Sequence, residues 1–471
     1  MVYALAISAI LMLGIWSLPP LRLARTWRSS LCLIGAMVLC AAAVSCGRAY
    51  IPVRHWDNRG SHYSGFLLNF TYQLQEVFVP KPDGYSPEAV AALEADYSEL
   101  SSDSRHPDII VIMNESFADF RVFKNGLATD KEVTPFLDAL QENTVRGHLY
   151  ASVFGGSTAN SEYEFLSGHT MAFLPAGSIV YQQFFDEDSF TLLDVLKKQH
   201  YDCIAMHPYH PDGWMRSTVY PAMGFDAFYT LDDFPQNQLF RGYVSDREMY
   251  EQIIALHQAH PQDKPLFLFG ITMQNHGGYT YEGLDFQNTI HLQGYAGAYP
   301  EAEQYLSSIH ESDRAVEYLL EYYQSNNRDV IIVFFGDHQP NIESGFYEAL
   351  NGGTYDTLDE HMDRYCVPFF IWANFDIPEK EIPCSSLNYL PGHVLDAAGI
   401  PLPPYYRFLR QTEMLIPAIS AEGYYSPENR CFMDLDHATG EEAAAIGTYR
   451  ILQYNNMFDS QNRNSRFFGK P

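Results

Sequence analysis

Two short segments of the sequence carry side chains suited to binding a metal ion. Glu115 follows the apolar run DIIVIM at 108–113, and Asp337-His338 follow the apolar run DVIIVFF at 329–335. Two carboxylates and one imidazole suit Mn²⁺, Mg²⁺ or Zn²⁺, and they leave a coordination position open for a further ligand. If these side chains converge, the sequence predicts a site for one divalent cation.

The segment VFGGSTANSEYEF at 153–165 offers hydroxyl groups that could fill that open position. On local grounds it is an ordinary helix start, in which Ser157 or Thr158 caps the helix and Gly168 ends it. However, a helix N-terminus also favours an alkoxide and a bound phosphate, through its dipole and its free N–H groups. Because metal coordination lowers the pKa of a hydroxyl and makes it a nucleophile, we expect Thr158 to be more than a cap.

Short apolar runs alternate with helical patterns from residue 108 onward. The predicted strands are DIIVIM (108–113), LYASVF (149–154), DCIAM (202–206), LFLFGITM (266–273), DVIIVFF (329–335) and VPFFIWA (367–373). The predicted helices lie at 134–143, 157–167, 190–199, 245–258, 300–325 and 389–398. This alternation predicts an α/β fold whose mainly parallel sheet is covered by helices on both faces.

Polar side chains follow four of the predicted strands, where ligands of such sheets collect. These side chains are Asn114-Glu115-Ser116, His207, Gln274-Asn275-His276 and Asp337-His338. A single polar residue at a strand end is commonly a cap or a satisfied core group. Four sets at one edge of the sheet predict a functional site instead.

Two apolar stretches open the chain, at 2–18 and 31–46. Each is near the lower limit for a spanning helix, about 17–25 residues, and the arginine-rich loop between them is expected in the cytoplasm. We therefore predict two transmembrane helices within 1–46, a juxtamembrane linker at 47–105, an extracytoplasmic catalytic domain at 106–400 and a small C-terminal subdomain at 401–471. Because Met1 would then face outward, we expect either further membrane helices ahead of it or a misassigned start.

The charge and cysteine content exclude several classes of function. The chain has 29 Lys and Arg against 58 Asp and Glu, a formal charge of −29, which opposes binding to nucleic acids and to anionic lipid surfaces. An anionic substrate would then need a metal ion or a local arginine. The seven cysteines show no CxxC spacing, which argues against a zinc knuckle and gives little support to a disulfide framework.

Five motifs follow one another along the chain: MNESF, GGSTANSEYEF, HPYHPDGWMRSTVYPAMGFDAF, TMQNHGGY and FGDHQP. In this order and at these intervals they resemble the lipoteichoic acid synthase family, within the alkaline phosphatase/sulfatase superfamily. The resemblance covers essentially the whole chain, including the GFLLNF…KPDGYSPEAV connector and the terminal RILQYNNMF. It implies a catalytic threonine at Thr158, metal ligands at Glu115, Thr158, Asp337 and His338, and substrate-binding residues at His207, Trp214, Arg216 and His276.

The resemblance also implies a reaction, a location and partners. Glycerol phosphate would move from phosphatidylglycerol, through an intermediate on Thr158, to a glycolipid or a growing polyglycerol-phosphate chain. The enzyme would be a multi-pass protein of a bacterial cell membrane and would use one divalent cation, with Mn²⁺ expected ahead of Mg²⁺ and Zn²⁺. One position departs from the family: Tyr209 stands where well-studied synthases carry an acidic residue, which puts the recognition of glycerol in doubt.

Several alternatives stay open at this point. A sulfatase would need a C/S-x-P-x-R signature, which is absent around Thr158, and a two-zinc phosphatase would need more His and Asp ligands. A phosphoethanolamine transferase also uses threonine, but its usual disulfide-rich outer domain is not apparent. Hydrolysis depends on a pocket shape that spacing does not reveal, and a non-enzymatic binder of wall polymers would be expected to lack a metal ligand. His207 and His276 could be structural, Trp214 could be a packing residue, and Glu162 is expected to be a hydrogen-bond acceptor near the site or a helix-surface residue.

Overall fold

The computed structural model describes residues 79–93, 105–284, 286–295 and 297–469. The predicted membrane helices at 2–18 and 31–46 and most of the predicted linker lie outside the described residues. Among the residues that are described, no helix is both long enough and apolar enough to cross a membrane. The described residues all fall in one compact unit.

An eight-stranded sheet forms the centre of the fold. In chain order the strands of the structure begin with β1 (Asp108–Asn114), β2 (Thr144–Tyr150), β3 (Asp202–Met206), β4 (Ala227–Tyr229), β5 (Leu239–Phe240), β6 (Tyr243–Val244) and β7 (Leu266–Ile271), followed by β8 (Val330–Gly336), β9 (Cys366–Ala373) and β10 (Lys380–Ser386). The sheet has the order β10-β2-β9-β8-β1-β7-β3-β4, and β5 and β6 form a separate hairpin. Only β9 runs antiparallel to its neighbours in the large sheet, so the predicted mainly parallel sheet is confirmed.

The register of the central strands brings their carboxyl ends together. Asn114 of β1 pairs with Gly336 of β8, and Met113 pairs with Ile271 of β7. β3 runs parallel to β7 and ends level with it. The polar residues that follow β1, β3, β7 and β8 therefore leave the sheet at one edge, as predicted.

Helices cover both faces of the sheet. Their bounds are α1 (Pro87–Ala92), α2 (Pro135–Ala139), α3 (Thr158–Ser167), α4 (Val180–Gln183), α5 (Leu192–Lys198), α6 (Arg216–Met223), α7 (Asp246–Ala259), α8 (Pro300–Gln324), α9 (Ser344–Asn351), α10 (Leu358–Met362), α11 (Leu390–Ala397), α12 (Pro404–Leu415), α13 (Gly440–Phe458) and α14 (Ser465–Phe468). Along β1, Ile109 and Val111 pack into one hydrophobic cluster and Ile110 and Ile112 into the other. This alternation explains why the strand is apolar at every position.

The C-terminal residues add a small antiparallel sheet, β11 (Ile419–Ser420), β12 (Gly423–Ser426) and β13 (Cys431–Met433). Side chains of α12 and α13 pack into the same hydrophobic cluster as α3, on one face of the large sheet. The predicted domain boundary between residues 400 and 401 stays a prediction.

One predicted strand lies earlier in the sequence than expected. The run LYASVF at 149–154 was the expected strand, but β2 begins at Thr144 and ends at Tyr150. Its sequence TVRGHLY is largely polar, and only Thr144 and Leu149 are buried, so it lacks the apolar signal of a central strand. Gly147 is required within it, because a Cβ there would lie 1.7 Å from the carbonyl oxygen of Ile382 in β10.

Candidate active site

Glu115, Asp337 and His338 converge at the carboxyl edge of β1 and β8. One ligand atom from each lies within 4.8 Å of the others, and all three residues are buried. Nε2 of His338 is 3.2 Å from Oδ2 of Asp337 and 3.8 Å from Oε1 of Glu115. We call these three residues the ligand cluster.

The ligand cluster has the features of a cation site. Oδ2 of Asp337 and Nε2 of His338 are buried without a hydrogen-bond partner. Burial raises the pKa of Asp337 to about 7; His338 opposes this shift and the Glu115 carboxylate adds to it. Unpaired buried acceptors are unfavourable, and a divalent cation between them would satisfy both atoms. The donor set therefore fits the predicted metal ion.

Hydrogen bonds around the ligand cluster fix the orientation of its side chains. Oδ1 of Asp337 accepts the backbone N–H groups of Ser116 at 2.7 Å and of His338 at 2.8 Å. Nδ1 of His338 lies 2.9 Å from the carbonyl oxygen of Gln339, which makes Nδ1 the protonated nitrogen and leaves the lone pair of Nε2 facing the cluster. Oε1 of Glu115 accepts the Ser116 hydroxyl at 3.0 Å.

Thr158 is the first residue of α3, and its side chain lies near enough to Asp337 to lower the pKa of that carboxyl group. Ser157 occupies the cap position with φ of 67° but makes no side-chain cap bond, so the predicted cap at this helix start is absent. The Ser161 hydroxyl donates to the Asp337 carbonyl at 2.7 Å and anchors the first turn of α3. Gly168 ends the helix in a left-handed conformation, as expected.

Arg216 lies at the start of α6 and is 2% exposed. Its Nε donates to the Glu162 carboxylate at 3.0 and 3.2 Å, and its Nη2 donates to the same carboxylate. The Tyr220 hydroxyl also donates to Glu162, at 2.6 Å. Glu162 is therefore a buried hydrogen-bond acceptor and not a helix-surface residue, which were the two roles expected for it. It compensates the charge of Arg216, and Nη1 makes no hydrogen bond to any residue that the structure describes.

His207 and His276 occupy different environments at this edge of the sheet. His207 is buried, with Nδ1 3.1 Å from the carbonyl oxygen of Ile271, and desolvation together with Arg216 lowers its pKa well below the usual value. His276 is exposed, with Nδ1 3.2 Å from the Tyr243 hydroxyl. Desolvation lowers the pKa of His276 while Asp337 raises it, so this ring lies within electrostatic range of the ligand cluster.

Tyr209 and Trp214 lie on the segment between β3 and α6. The Tyr209 ring is stacked with that of His276, with centroids 6.4 Å apart and an angle of 17° between the planes. Trp214 has a left-handed backbone, φ 56°, and packs against the hydrophobic cluster that contains α3. This placement is compatible with the packing role that the sequence left open for Trp214.

A buried polar network below the ligand cluster was not predicted. Oδ2 of Asp246 accepts the Asn114 amide at 2.8 Å and the Ser312 hydroxyl at 2.6 Å. The Asn275 amide donates to Asn114 Oδ1 and to Ser312 Oγ, both at 2.8 Å. The network ties the ends of β1 and β7 to α7 and α8. Asn114 and Asn275 were visible at their strand ends, whereas Asp246 and Ser312 resemble an ordinary helix start and helix interior.

Comparison with known proteins bears on the chemistry of this site. The sulfatase family profile matches residues 107–400. A Rhizobium meliloti (strain 1021) protein named "Putative cyclic beta-1,2-glucan modification protein" is 30% identical over 433 residues, which are 89% of this chain and 65% of that relative. Three further curated relatives are covered over 52%, 47% and 39% of their length. The chain thus spans less than two thirds of the curated relatives that it matches.

Two solved structures share the fold. A phosphoglycerol transferase from Streptococcus pyogenes, in complex with sn-glycerol-1-phosphate, has a TM-score of 0.66 and 21% identity, covering 83% of this chain and 100% of that one. A lipoteichoic acid synthase from Listeria monocytogenes has a TM-score of 0.59 and 18% identity, covering 80% of this chain and 98% of that one. At these identities the likeness shows the fold.

Proposed function

We propose that this chain, which belongs to the sulfatase family, is a phosphoglycerol transferase that acts on phosphatidylglycerol. The family match confirms two predictions: the chain belongs to the alkaline phosphatase/sulfatase superfamily, and it is an enzyme. The observation that carries the proposal is the convergence of Glu115, Asp337 and His338 in one buried cluster, with Thr158 at a helix N-terminus near Asp337. A nucleophile, a cation site and an anion-favouring helix end are together the parts that phosphoryl transfer needs.

The proposed reaction has two steps. Glu115, Asp337 and His338 would hold a divalent cation, for which we propose Mn²⁺. When bound, it would supply positive charge that favours the ionised Thr158 hydroxyl and offsets charge on the phosphate. Thr158 Oγ attacks the phosphorus, an Oγ–P bond forms, and the bond from phosphorus to the diacylglycerol oxygen breaks. His276 gives its proton to that departing oxygen. The acceptor hydroxyl then attacks the phosphorus, returns a proton to His276 and releases Thr158.

Arg216 and His207 complete the site in this proposal. Nη1 of Arg216 is the nitrogen of its guanidinium that Glu162 does not engage, and it would donate to a non-bridging phosphate oxygen. His207 is buried and tied to Ile271 through Nδ1, so its Nε2 would accept from the glycerol group. Trp214 stays a predicted substrate-binding residue. The proton carrier is His276 rather than His207, because His276 is exposed and His207 is buried.

Two observations favour this function over the alternatives. Within the described ranges, the ligand cluster is the single group of three or more potential ligands of this kind, which fits one cation better than two zinc ions. The segment GSTANSE at 156–162 lacks the Pro and Arg of a sulfatase signature. We also propose that the enzyme acts on the extracytoplasmic side of a bacterial membrane and that its donor is a lipid.

The acceptor has a second candidate. Tyr209 replaces the acidic residue that the resemblance led us to expect, and its ring stacks on His276 beside the ligand cluster. Aromatic faces suit sugar rings better than they suit a flexible glycerol, because they offer a flat apolar surface with polar edges. The Rhizobium meliloti relative is named for the modification of cyclic beta-1,2-glucan. A sugar hydroxyl of a glucan is therefore the second candidate, beside a glycolipid or a polyglycerol-phosphate chain.

The test is an assay of the full chain in detergent with Mn²⁺ and fluorescent phosphatidylglycerol. We expect labelled diacylglycerol from the wild-type protein, none from Thr158→Ala, and near-normal release from the matched variant Ser157→Ala. Product release by Thr158→Ala would refute the assignment of the nucleophile. Parallel reactions with no acceptor, a glycolipid or a cyclic glucan then separate hydrolysis from transfer and identify the acceptor by mass.

A further inference from the structure

Arg241 is a buried arginine that holds the backbone on both sides of His276. It lies in the turn of the β5–β6 hairpin with φ of 51° and is 4% exposed. Its guanidinium donates to the carbonyl oxygens of Gln274 at 3.4 Å, His276 at 3.2 Å and Gly278 at 3.0 Å. These carbonyls belong to alternate residues of the one loop that follows β7.

We propose that Arg241 and Tyr243 of this hairpin position His276 for proton transfer. The proposal rests on the proposed function, in which His276 carries the proton. Arg241 holds the backbone, and the Tyr243 hydroxyl holds the ring, 3.2 Å from Nδ1 of His276. Neither residue touches the ligand cluster through a hydrogen bond or ion pair among the described residues, so both act through His276.

The loop needs such a clamp because its own sequence is permissive. Gly277 and Gly278 follow His276 directly, and Gly278 has φ of 94°, a conformation that glycine adopts without strain. The buried polar network holds the loop ahead of His276 through Asn275, and the Tyr279 hydroxyl donates to the Asn275 carbonyl at 2.6 Å. Between these anchors, Arg241 makes the contacts that fix the backbone of His276 itself.

The charge of Arg241 shows that these contacts are not incidental. No carboxylate pairs with its guanidinium in the part of the chain that the structure describes, in contrast to Arg216, which Glu162 compensates. Nε is buried without a partner, the Tyr279 ring lies 4.6 Å from the guanidinium carbon, and burial lowers the pKa of Arg241. A buried cation held by carbonyl groups and an aromatic ring, without a carboxylate, is unfavourable for folding, so its presence points to a role in the site.

Hydrogen–deuterium exchange tests the clamp without any substrate. In Arg241→Met, we expect exchange at residues 275–279 to rise by at least about tenfold, while Mn²⁺ affinity is unchanged. Arg247→Met is the matched control, because Arg247 is exposed on α7 and pairs with Glu251 instead of with the loop that carries His276. Unchanged exchange in Arg241→Met would overturn the proposal, whether or not the enzyme proves to be a phosphoglycerol transferase.

A double-mutant cycle with His276→Gln tests the route of the effect. We expect Arg241→Met to lower kcat by about 10- to 100-fold with little change in KM, since a small misplacement of a catalytic group has this effect. In the His276→Gln background the same change should have almost no further effect. Effects that multiply would show that Arg241 acts elsewhere and would overturn the proposal.

Two conservative variants separate the parts of the clamp. Arg241→Lys keeps the charge, but one ammonium group lacks the fork that spans three carbonyls, so most of the loss should remain. Recovery to wild-type kcat in this variant would refute the clamp. Tyr243→Phe keeps the fold and the ring, and we expect lower kcat with unchanged loop exchange; full activity would remove Tyr243 from the proposal. A wild-type protein inactive on phosphatidylglycerol would instead refute the proposed function alone.

Discussion

Replacing Glu162 with Gln tests the buried ion pair beside the nucleophile. Glu162 accepts two bonds from Nε of Arg216, at 3.0 and 3.2 Å, one from Nη2, and one from Tyr220 at 2.6 Å. The side chains of the pair are 3% and 0% exposed, so water cannot replace the lost carboxylate. Removing one partner of a buried pair destabilises by about 3–5 kcal/mol. Because the Gln amide keeps one acceptor oxygen, we expect the lower end, about 3 kcal/mol.

Urea denaturation of four proteins measures this effect. The wild type, Glu162→Gln, Arg216→Met and the double variant form a cycle, with Mn²⁺ held constant throughout. The double variant removes the uncompensated charge together with its partner, so it should lose less stability than the two single variants combined, by about 1–3 kcal/mol. The control is Glu251→Gln, which breaks the exposed pair with Arg247 and should change stability by less than about 0.5 kcal/mol.

Two results would refute the reasoning about Glu162. A loss below about 1 kcal/mol in Glu162→Gln would show that the Arg216 guanidinium finds other acceptors or water in the folded protein. Strict additivity in the cycle would show that the two side chains do not stabilise one another. In either case Glu162 would no longer compensate the charge of Arg216, and all donors of Arg216 would be available to substrate.

Three further predictions follow from the site and its supports. Chelation of the cation with EDTA should lower Tm by several degrees and Mn²⁺ should restore it, as calorimetry can show; an unchanged Tm would contradict the cation site. Asp246→Ala should weaken Mn²⁺ binding by about 10- to 100-fold in titration calorimetry, because the network that supports Glu115 through Asn114 loses its acceptor; unchanged affinity would remove that support. Glu164 is buried and burial raises its pKa from 4.5 to about 7, so the folded state holds its proton more tightly. That contribution to stability is present below pH 4.5 and is lost as pH rises through about 7, by on the order of 3 kcal/mol. Glu164→Gln should therefore flatten the stability profile between pH 5 and 8 in urea titrations, and an unchanged profile would contradict the shift.

The sequence predicted the sheet and the convergence of Glu115, Asp337 and His338, for a physical reason. Central strands of a parallel sheet are buried on both faces, so β1 and β8 appear as continuous apolar runs with unambiguous ends. Whatever follows those ends must lie at the carboxyl edge, and Glu115 and Asp337 do. β2 lacked that signal because only Thr144 and Leu149 are buried in it, and β10 contains Pro383 and exposed residues, so neither strand could be located from apolar runs.

Electrostatic pairing was the part of the site that the sequence could not supply. Arg216 was expected to bring positive charge to the phosphate, but Glu162, one turn along α3 from Thr158, already compensates most of it. Arg241 belongs to no motif, and yet it carries the uncompensated guanidinium near the loop of His276. Whether an arginine is paired with a carboxylate depends on contacts between segments far apart in the chain, and local sequence patterns do not encode those contacts. Arg241 is therefore the buried arginine without a carboxylate partner, and it acts on the site through the loop that carries His276, while Arg216 keeps one nitrogen, Nη1, that Glu162 does not engage.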